Sequence, residues 1–357
     1  DRWKGQDDGS LDAKSRIVIL GFKDPHVLQL ERSAPTPTQE AFTCVMQILA
    51  SKQQSAWSSD IKNAFGQSMK TNRRQPIAAS LPQNMTEAGF DLDPRQLLLA
   101  ETEVYGLISG PSWLRQTLVR DFELMGYRRN PYDKCVMTLP PLDISTNKLN
   151  DGILLIEVDD ILEGGTLRHR EIMKQFYAKY KCGKNKKIQD LGQKGTLISG
   201  IRVIQELDYS FVWHMNEYAE TYMKLIEVPR GFISQTKELS DEHMDRVRSC
   251  NGKIGWIGGS GRPDLAAGHS IISGGYKDKK TDLITACNEC VRRAHEEVNL
   301  KIWPIPVKSL RFVSFCDSSF DHNGVRHQQG WLIGVTNEYL NLNQRAPVSV
   351  VLWKSRK

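Results

Sequence analysis

The most constraining stretch of the chain is the apolar run Ile153-Leu154-Leu155-Ile156, followed by Glu157-Val158, the acid pair Asp159-Asp160, Ile161-Leu162 and Gly164-Gly165. Branched and leucine side chains on both sides predict a buried hairpin with two carboxylates at its tip. Successive residues of a strand point to opposite faces, so adjacent aspartates serve one site only where the backbone turns. Carboxylates inside a buried element are unfavourable unless something pairs with them. An Asp-Asp pair alone also suits a surface turn, but here the flanking apolar residues favour a bound cation. Magnesium takes oxygen ligands and keeps several waters, so two or three carboxylates from rigid strands are enough protein for it. The third carboxylate is expected from Asp60, which interrupts the extended stretch from Trp57 to Ile61.

The rest of the chain reads as a mixture of helices and strands. Residues 14–22 predict a β-branched strand ending at Gly21. Thr36 as N-cap, Pro37 in the first position and Gln39 as capping-box partner predict a helix running to about Ser51, with Phe42, Val45, Met46 and Leu49 as its apolar stripe. A second helix is expected from Pro111 to Met125, stopped by Gly126, and a third from about Leu167 to Lys181. A strand is expected near Thr196 to Ile204, and mainly helix from Glu238 to Asn299. Leu310 to Phe315 and Gly330 to Thr336 read as strands of a separate unit.

The 357 residues carry a net charge of +6, a mild excess that by itself separates nucleic-acid binders poorly from other basic enzymes. Its distribution says more: Arg168, Arg170, Lys174, Lys179, Lys181, Lys184, Lys186 and Lys187 form one basic stretch, suited to phosphate contact or to a solvated face. Seven scattered cysteines point to a reducing compartment, and Cys287 and Cys290 form a CxxC with no second ligand pair to complete a zinc site. With no signal peptide and no apolar run of membrane-spanning length, a soluble intracellular protein is expected. The sequence opens at Asp1 and closes at Lys357 straight after a strand-like run, as a piece of a longer product does.

Several segments resemble the polymerase region of copia-type (Pseudoviridae-like) LTR retrotransposons. Ser59-Asp60-Ile61-Lys62-Asn63-Ala64-Phe65 resembles the motif around that family's first catalytic Asp, and Val158-Asp159-Asp160 its "VDD" signature. Val104-Tyr105-Gly106-Leu107 with Gly110-Pro111 and Trp113 resembles "YGL..AP..W", and Pro131-Tyr132-Asp133-Lys134-Cys135-Val136 resembles "DPCVF". Upstream, Lys14-Ser15-Arg16-Ile17-Val18 with Gly21-Phe22 is similar to "KARLVARGF", and Ala34-Pro35-Thr36 to "APT". Downstream, Arg262-Pro263-Asp264-Leu265 resembles "TRPDLA". Phe315-Cys316-Asp317-Ser318-Ser319-Phe320 resembles the first acidic motif of the RNase H that follows, and Trp353-Lys354-Ser355 a later strand of that domain. The matches run in family order over nearly the whole chain.

The resemblance implies an α+β fold: a right-hand polymerase with palm, fingers and thumb, followed by a truncated RNase H-like α/β domain. Fingers and palm would occupy residues 1–235, a helical thumb or connection 236–305, and the start of RNase H 306–357. The implied activity is RNA-directed DNA synthesis from dNTPs onto a primer. Asp60, Asp159 and Asp160 would be catalytic and hold two Mg²⁺ ions, with Mn²⁺ as a substitute. Lys14, Arg16, Ile61, Phe65, Tyr105 and Gly106 would bind the nucleotide, Phe65 excluding a 2′-OH. Asp317 would be the first ligand of an incomplete RNase H site, without activity in this piece. The implied partners are a primed RNA or DNA template and the remaining Pol parts, integrase and the rest of RNase H, with no membrane. The implied location is a cytoplasmic virus-like particle and the nucleus.

The family pattern is broken at several positions. Glu157 stands where the family has Tyr or His, Ile108 replaces a Lys, Gly66 replaces a Leu, and Ser199 replaces the Leu of an "FLGI" strand. A third negative charge at Glu157 is expected to raise neighbouring carboxylate pKa values and repel a primer phosphate, so that reversion to Tyr raises activity. Two other readings stay open: a decayed, catalytically dead nucleic-acid-binding remnant, and an unrelated metal-dependent hydrolase.

Overall fold

The computed structural model describes residues 2–5, 11–14, 18–73, 75–81, 93, 95–143, 150–235, 237–319, 327–342 and 344–356, with the backbone alone at 2–5 and 11–14. The chain is a mixed α+β structure with several antiparallel sheets. β1 (Arg2–Gly5) and β2 (Leu11–Lys14) form a ribbon. Helix α1 (Gln39–Ser51) leads into β3 (Ala56–Ile61), and β4 (Ala78–Ser80) pairs with β5 (Leu97–Leu99) in a second ribbon. After α2 (Gly110–Leu124) come β6 (Arg128–Arg129), β7 (Val136–Leu139), β8 (Gly152–Glu157) and β9 (Asp160–Gly165). Helix α3 (Leu167–Lys179) returns the chain to β10 (Cys182–Lys187). These strands build a six-stranded sheet in the order β10-β3-β9-β8-β7-β6, and every neighbouring pair is antiparallel.

Both faces of this sheet are covered, which is why β8 is apolar at consecutive positions instead of alternating. One face meets α1: Phe42, Val45 and Leu49 pack with Ala56, Leu155 and Leu162. The other meets α2 and α3, where Leu114, Leu118, Phe122 and Phe176 enclose Ile61, Leu154, Ile156 and Ile161. Phe122 and Phe176 stack at 4.7 Å between centroids, and each such burial contributes about 1.5–3 kcal/mol. Gly164 lies within β9, where a Cβ would stand 2.6 Å from Leu49 Cδ2 and 2.8 Å from Ser55 O. That close approach to α1 is what the glycine serves.

A buried polar network backs the sheet. Glu163, three residues beyond Asp160 on β9, is fully buried and receives hydrogen bonds from Arg170 and from Tyr177 at 3.1 Å, and lies 2.6 Å from His169 Nε2. Burial pushes its carboxyl up, but the His169 and Arg170 contacts outweigh this and hold it below the usual range. Arg170 also lies over the Trp57 ring at 3.8 Å.

Downstream, β11 (Thr196–Ile198), β12 (Ile201–Gln205) and β13 (Phe211–His214) precede α4 (Asn216–Tyr222), α5 (Phe232–Gln235), α6 (Asp241–Ser260), α7 (Ala266–Gly274) and α8 (Asp282–Ala294). β14 (Leu300–Ile302) then completes a sheet in the order β11-β12-β13-β14. Buried Arg262 pairs with Asp264 at 2.9 Å and donates to the carbonyls of Arg293, Ala294 and Glu296, satisfying the open C-terminal end of α8. β15 (Arg311–Ser319), β16 (Gln328–Thr336) and β17 (Ser349–Arg356) form the last sheet.

Several expectations need correction. The strand over 14–22 is absent at its described end: residues 18–20 are irregular and Gly21–Lys23 is a 3-10 turn. α1 starts two residues later than its capping pattern suggested. Thr38, not Thr36, is the N-cap, its hydroxyl accepting from Ala41 N–H at 3.1 Å, because Asp133 fixes Thr38 through its N–H and hydroxyl. The expected third helix ends at Lys179, and Asp60 sits within β3 without breaking it. The strand near Thr196 to Ile204 is a hairpin folded at Ser199 (φ +51°) and Gly200 (φ +80°). In addition, Val335, Val351 and Trp353 of β15–β17 belong to the same buried cluster as α1 and α6–α8, and Trp353 Nε1–H donates to Gly258 O at 2.7 Å. A single sheet buries its apolar face against another layer, here the helices.

Candidate metal and nucleotide site

Asp60 and Asp160 stand directly opposite one another in the β3–β9 pair, and Glu157 faces Asp160 across β8–β9. Lys184 of the edge strand β10 faces Asp60. Opposite residues in antiparallel strands share a face, with Cβ atoms roughly 4.5–5.5 Å apart. The row Glu157, Asp160, Asp60, Lys184 therefore crosses one face of the sheet, three acids and a lysine. Asp159 lies in the two-residue turn Val158-Asp159, and its carbonyl accepts from Ile61 N–H at 2.9 Å, which pins the turn to β3. Val158 holds φ +56°, an unfavourable conformation for a β-branched residue, at a cost of about 1–3 kcal/mol. That strain sits in the turn that carries Asp159 between the paired positions Glu157 and Asp160.

The electrostatics follow from the crowding. Desolvation of the Asp160 carboxyl, then the charges of Asp159, Asp60 and Glu157, push its pKa up to about 6, with Lys184 opposing. Burial and the charge of Asp60 push the Cys182 thiol up to about 11. Asp60 Oδ1 is buried without a hydrogen-bond partner. Across from it is Gly183, where a Cβ would come within 2.8 Å of Asp60 Oδ2. A hard-oxygen donor set with an orphaned buried acceptor fits a divalent cation such as Mg²⁺. Among the described residues no three His, Cys, Asp or Glu side chains are gathered into a ready-made cage.

The expected nucleotide residues Phe65 and Tyr105 line a cleft whose walls include none of the three aspartates. Phe65 rises from the 3-10 turn Ala64–Gln67, entered through Asn63 at φ +46°. Its ring meets Tyr105 edge-on, with centroids 4.7 Å apart and planes at 78°. Both line a cleft of about 1090 Å³ whose walls include Lys23, His26, Gln75 and Leu99. Ile61 does not reach the cleft: its side chain is buried with Leu114 and Leu118, so only its backbone is close to the acids. Gly106 (φ +94°) crosses the segment before Gly21, since a Cβ there would stand 2.0 Å from Ile19 O, and Ile19 N–H donates to Tyr105 O at 2.9 Å. Lys14 has its backbone in β2, but its side chain and the whole of Arg16 lie outside the described residues.

Sequence reasoning missed the residue that joins the walls of the cleft. Arg73 donates to Glu103 at 2.6 and 3.0 Å, to Asp24 at 2.6 Å and to Ser109 at 2.7 Å, with the Asp24 and Glu103 side chains each 3% exposed. Burial pushes both carboxyls up, yet hydrogen bonds, including those from Arg73, and its charge leave both below the usual range. Separations of 49 and 30 positions leave no local pattern to read.

The basic stretch does not form one face. Arg168 pairs with Asp151, Lys174 with Glu171 and Lys179 with Asp121, while Lys184 and Lys186 stand exposed on β10. Asp317 lies exposed on β15 opposite Gly330, beside a cavity walled by Trp331, Trp353 and Lys354. Cys287 is buried and Cys290 half-buried, both on α8. Among the described residues no helix is long and apolar enough to cross a membrane. No protein-family model matches the chain, and no curated protein matches it at a significant level.

Proposed function

We propose that the chain is the polymerase part of a copia-type retrotransposon product, transferring nucleotides from dNTPs onto a primer paired with RNA or DNA. The observation that carries this reading is the register placing Asp60 opposite Asp160, with Asp159 in the adjoining turn and Asp60 Oδ1 buried without a partner. Two Mg²⁺ ions, held by Asp60, Asp159 and Asp160 or replaced by Mn²⁺, would neutralise charge on the attacking and leaving oxygens. The protein's own residues then do the positioning. Phe65, braced by Tyr105, walls the sugar end of the cleft and stands against a 2′-OH. Arg73 keeps the Asp24 segment and the Glu103–Ser109 segment together so that the cleft holds its shape. Lys184 and Lys186, exposed on the edge strand beside Asp60, offer charge to a phosphate backbone.

In this reading the six-stranded sheet with α2 and α3 is the palm, the two ribbons belong to the fingers, and α6–α8 form the thumb or connection. β15–β17 are the start of an RNase H-like domain with Asp317 as its first acid. The partners are a primed template, dNTPs and the integrase and RNase H remainder of the same product, acting in a virus-like particle and the nucleus.

Primer extension on a primed RNA template with Mg²⁺ or Mn²⁺ tests the proposal. The expected result is metal-dependent synthesis that Asp159→Asn abolishes; a small-substrate hydrolase would instead show no salt-dependent duplex affinity. A second reading, a nucleic-acid-binding remnant without turnover, is favoured by Glu157, whose charge adds to those that push Asp160 up. It predicts salt-sensitive duplex binding that Asp159→Asn leaves intact, with no synthesis under either metal.

A further inference from the structure

Two positions that depart from the family pattern meet in space: Ser199 Oγ–H donates to Glu157 Oε2. Each belongs to a tight two-residue hairpin. Val158-Asp159 closes β8–β9 just past Glu157, and Ser199-Gly200 closes β11–β12 between Ile198 and Ile201. Positive φ at both Ser199 and Gly200 gives the turn whose twist suits a two-residue hairpin, although serine is an uncommon choice at the first of them. Leucine there could close neither the turn comfortably nor the contact. The far end of the same hairpin is already fastened, since Gln205 accepts from Ala56 N–H at 2.8 Å and donates to Gln54 O at 2.9 Å. Near the tip a long Thr196–Ser58 contact at 3.4 Å also reaches β3. The hairpin is thus anchored at its base and held at its tip by Glu157.

We propose that Glu157 and Ser199 form a latch that fixes the β11–β12 tip against the carboxylate turn. Glu157 is then a positioning residue for the nucleic-acid strand whose 3′-oxygen must reach the Asp60–Asp160 face. The role rests on the polymerase reading; the contact itself does not. The acids are held by the β3–β9–β8 ladder, which the latch does not support, so opening it alters where the strand lies more than how the acids sit.

The test uses the full chain carrying Ser199→Ala, Glu157→Ala, both together, and Glu157→Gln, whose amide oxygen still accepts the hydroxyl. Hydrogen–deuterium exchange at residues 196–204 without nucleic acid reads the latch. Ser199→Ala and Glu157→Ala should each speed exchange about 5-fold, the double variant no further, while Glu157→Gln stays like the unaltered protein. In single-nucleotide extension the KM for primer–template should rise by about the same factor in Ser199→Ala, which leaves the acid row untouched, with kcat unchanged within about twofold. Unchanged exchange in both alanine variants, or Glu157→Gln exchanging as fast as Glu157→Ala, overturns the latch. Exchange that responds while KM stays fixed overturns the positioning role. An unaltered chain that extends no primer overturns the polymerase reading and that role with it, while exchange still reports the contact, so the failures are separable.

Discussion

Replacing Arg73 by Met removes a guanidinium that makes four hydrogen bonds: two to Glu103, one to Asp24 and one to Ser109. Methionine keeps most of the aliphatic stem, so the loss is chiefly electrostatic. It leaves two carboxylates, each 3% exposed, without a counter-charge. Removing one partner of a buried ion pair costs about 3–5 kcal/mol. At a urea slope of about 2 kcal/mol per molar, a loss of about 4 kcal/mol lowers the midpoint by about 2 M. The sign with pH is opposite in the two proteins. In the unaltered chain Asp24 and Glu103 lie below their ordinary values, so their stabilisation is present above those values and fades as pH falls through the lowered ones. In Arg73→Met both carboxyls lose the guanidinium's hydrogen bonds and charge and move up, opposed by His26 N–H at Asp24 and by Ser109 and Thr71 at Glu103, so the deficit relative to the unaltered protein is largest near neutrality and shrinks as pH drops toward 4. Pulse proteolysis in urea at pH 7 and pH 5 measures the difference. Adding Asp24→Asn and Glu103→Gln to Arg73→Met should restore much of the loss by removing the uncompensated charges. A midpoint within about 0.3 M of the unaltered protein at pH 7, or a deficit that grows on acidification, would refute the reasoning.

Other perturbations address the cleft and the acid row. Phe65→Val should shorten the wall of the cleft and raise ribonucleotide incorporation at least about tenfold relative to dNTPs; unchanged sugar discrimination would remove Phe65 from that role. Gly106→Ala places a Cβ 2.0 Å from Ile19 O at φ +94°, so the two crossing segments must separate. Limited proteolysis near residue 20 should then accelerate, and identical digestion would show the crossing to be dispensable. With Asp160 raised to about 6, the native state keeps a proton that the unfolded chain releases near 3.8. Stability from this group therefore declines as pH rises from about 4 to 6. Mg²⁺ must displace that proton, so calorimetry should show affinity falling about tenfold per pH unit below 6; equal affinity at pH 5 and 8 contradicts the assignment.

How far these features could be read from sequence depended on the range of the interactions. The β8–β9 hairpin was legible because an apolar run broken by an acid pair has few other homes, and α2 because Pro111 opens it and Gly126 stops it. The six-stranded order was not, since β10 joins β3 beside Asp60 only after α3 has crossed the sheet. Leu97–Leu99 is exposed throughout, so apolar content alone did not place it. The α1 start moved because Asp133, remote in sequence, fixes Thr38. Residues 196–204 looked like one strand because serine is a poor signal for a left-handed turn; Gly200 was the only hint. Glu157 was read from its charge alone, whereas its hydrogen bond to Ser199 gives it a second property that charge does not reveal.

The polymerase reading requires the acids of β3 and of the β8–β9 turn to bind the same ions. The direct measurement is a Mn²⁺ titration followed by electron paramagnetic resonance, on the unaltered chain and on Asp60→Asn, with primed template and an unreactive dNTP present. Two bound ions per chain are expected, falling to one or none once Asp60 becomes Asn. Equal occupancy in both proteins, or no Mn²⁺ bound by either, would contradict it.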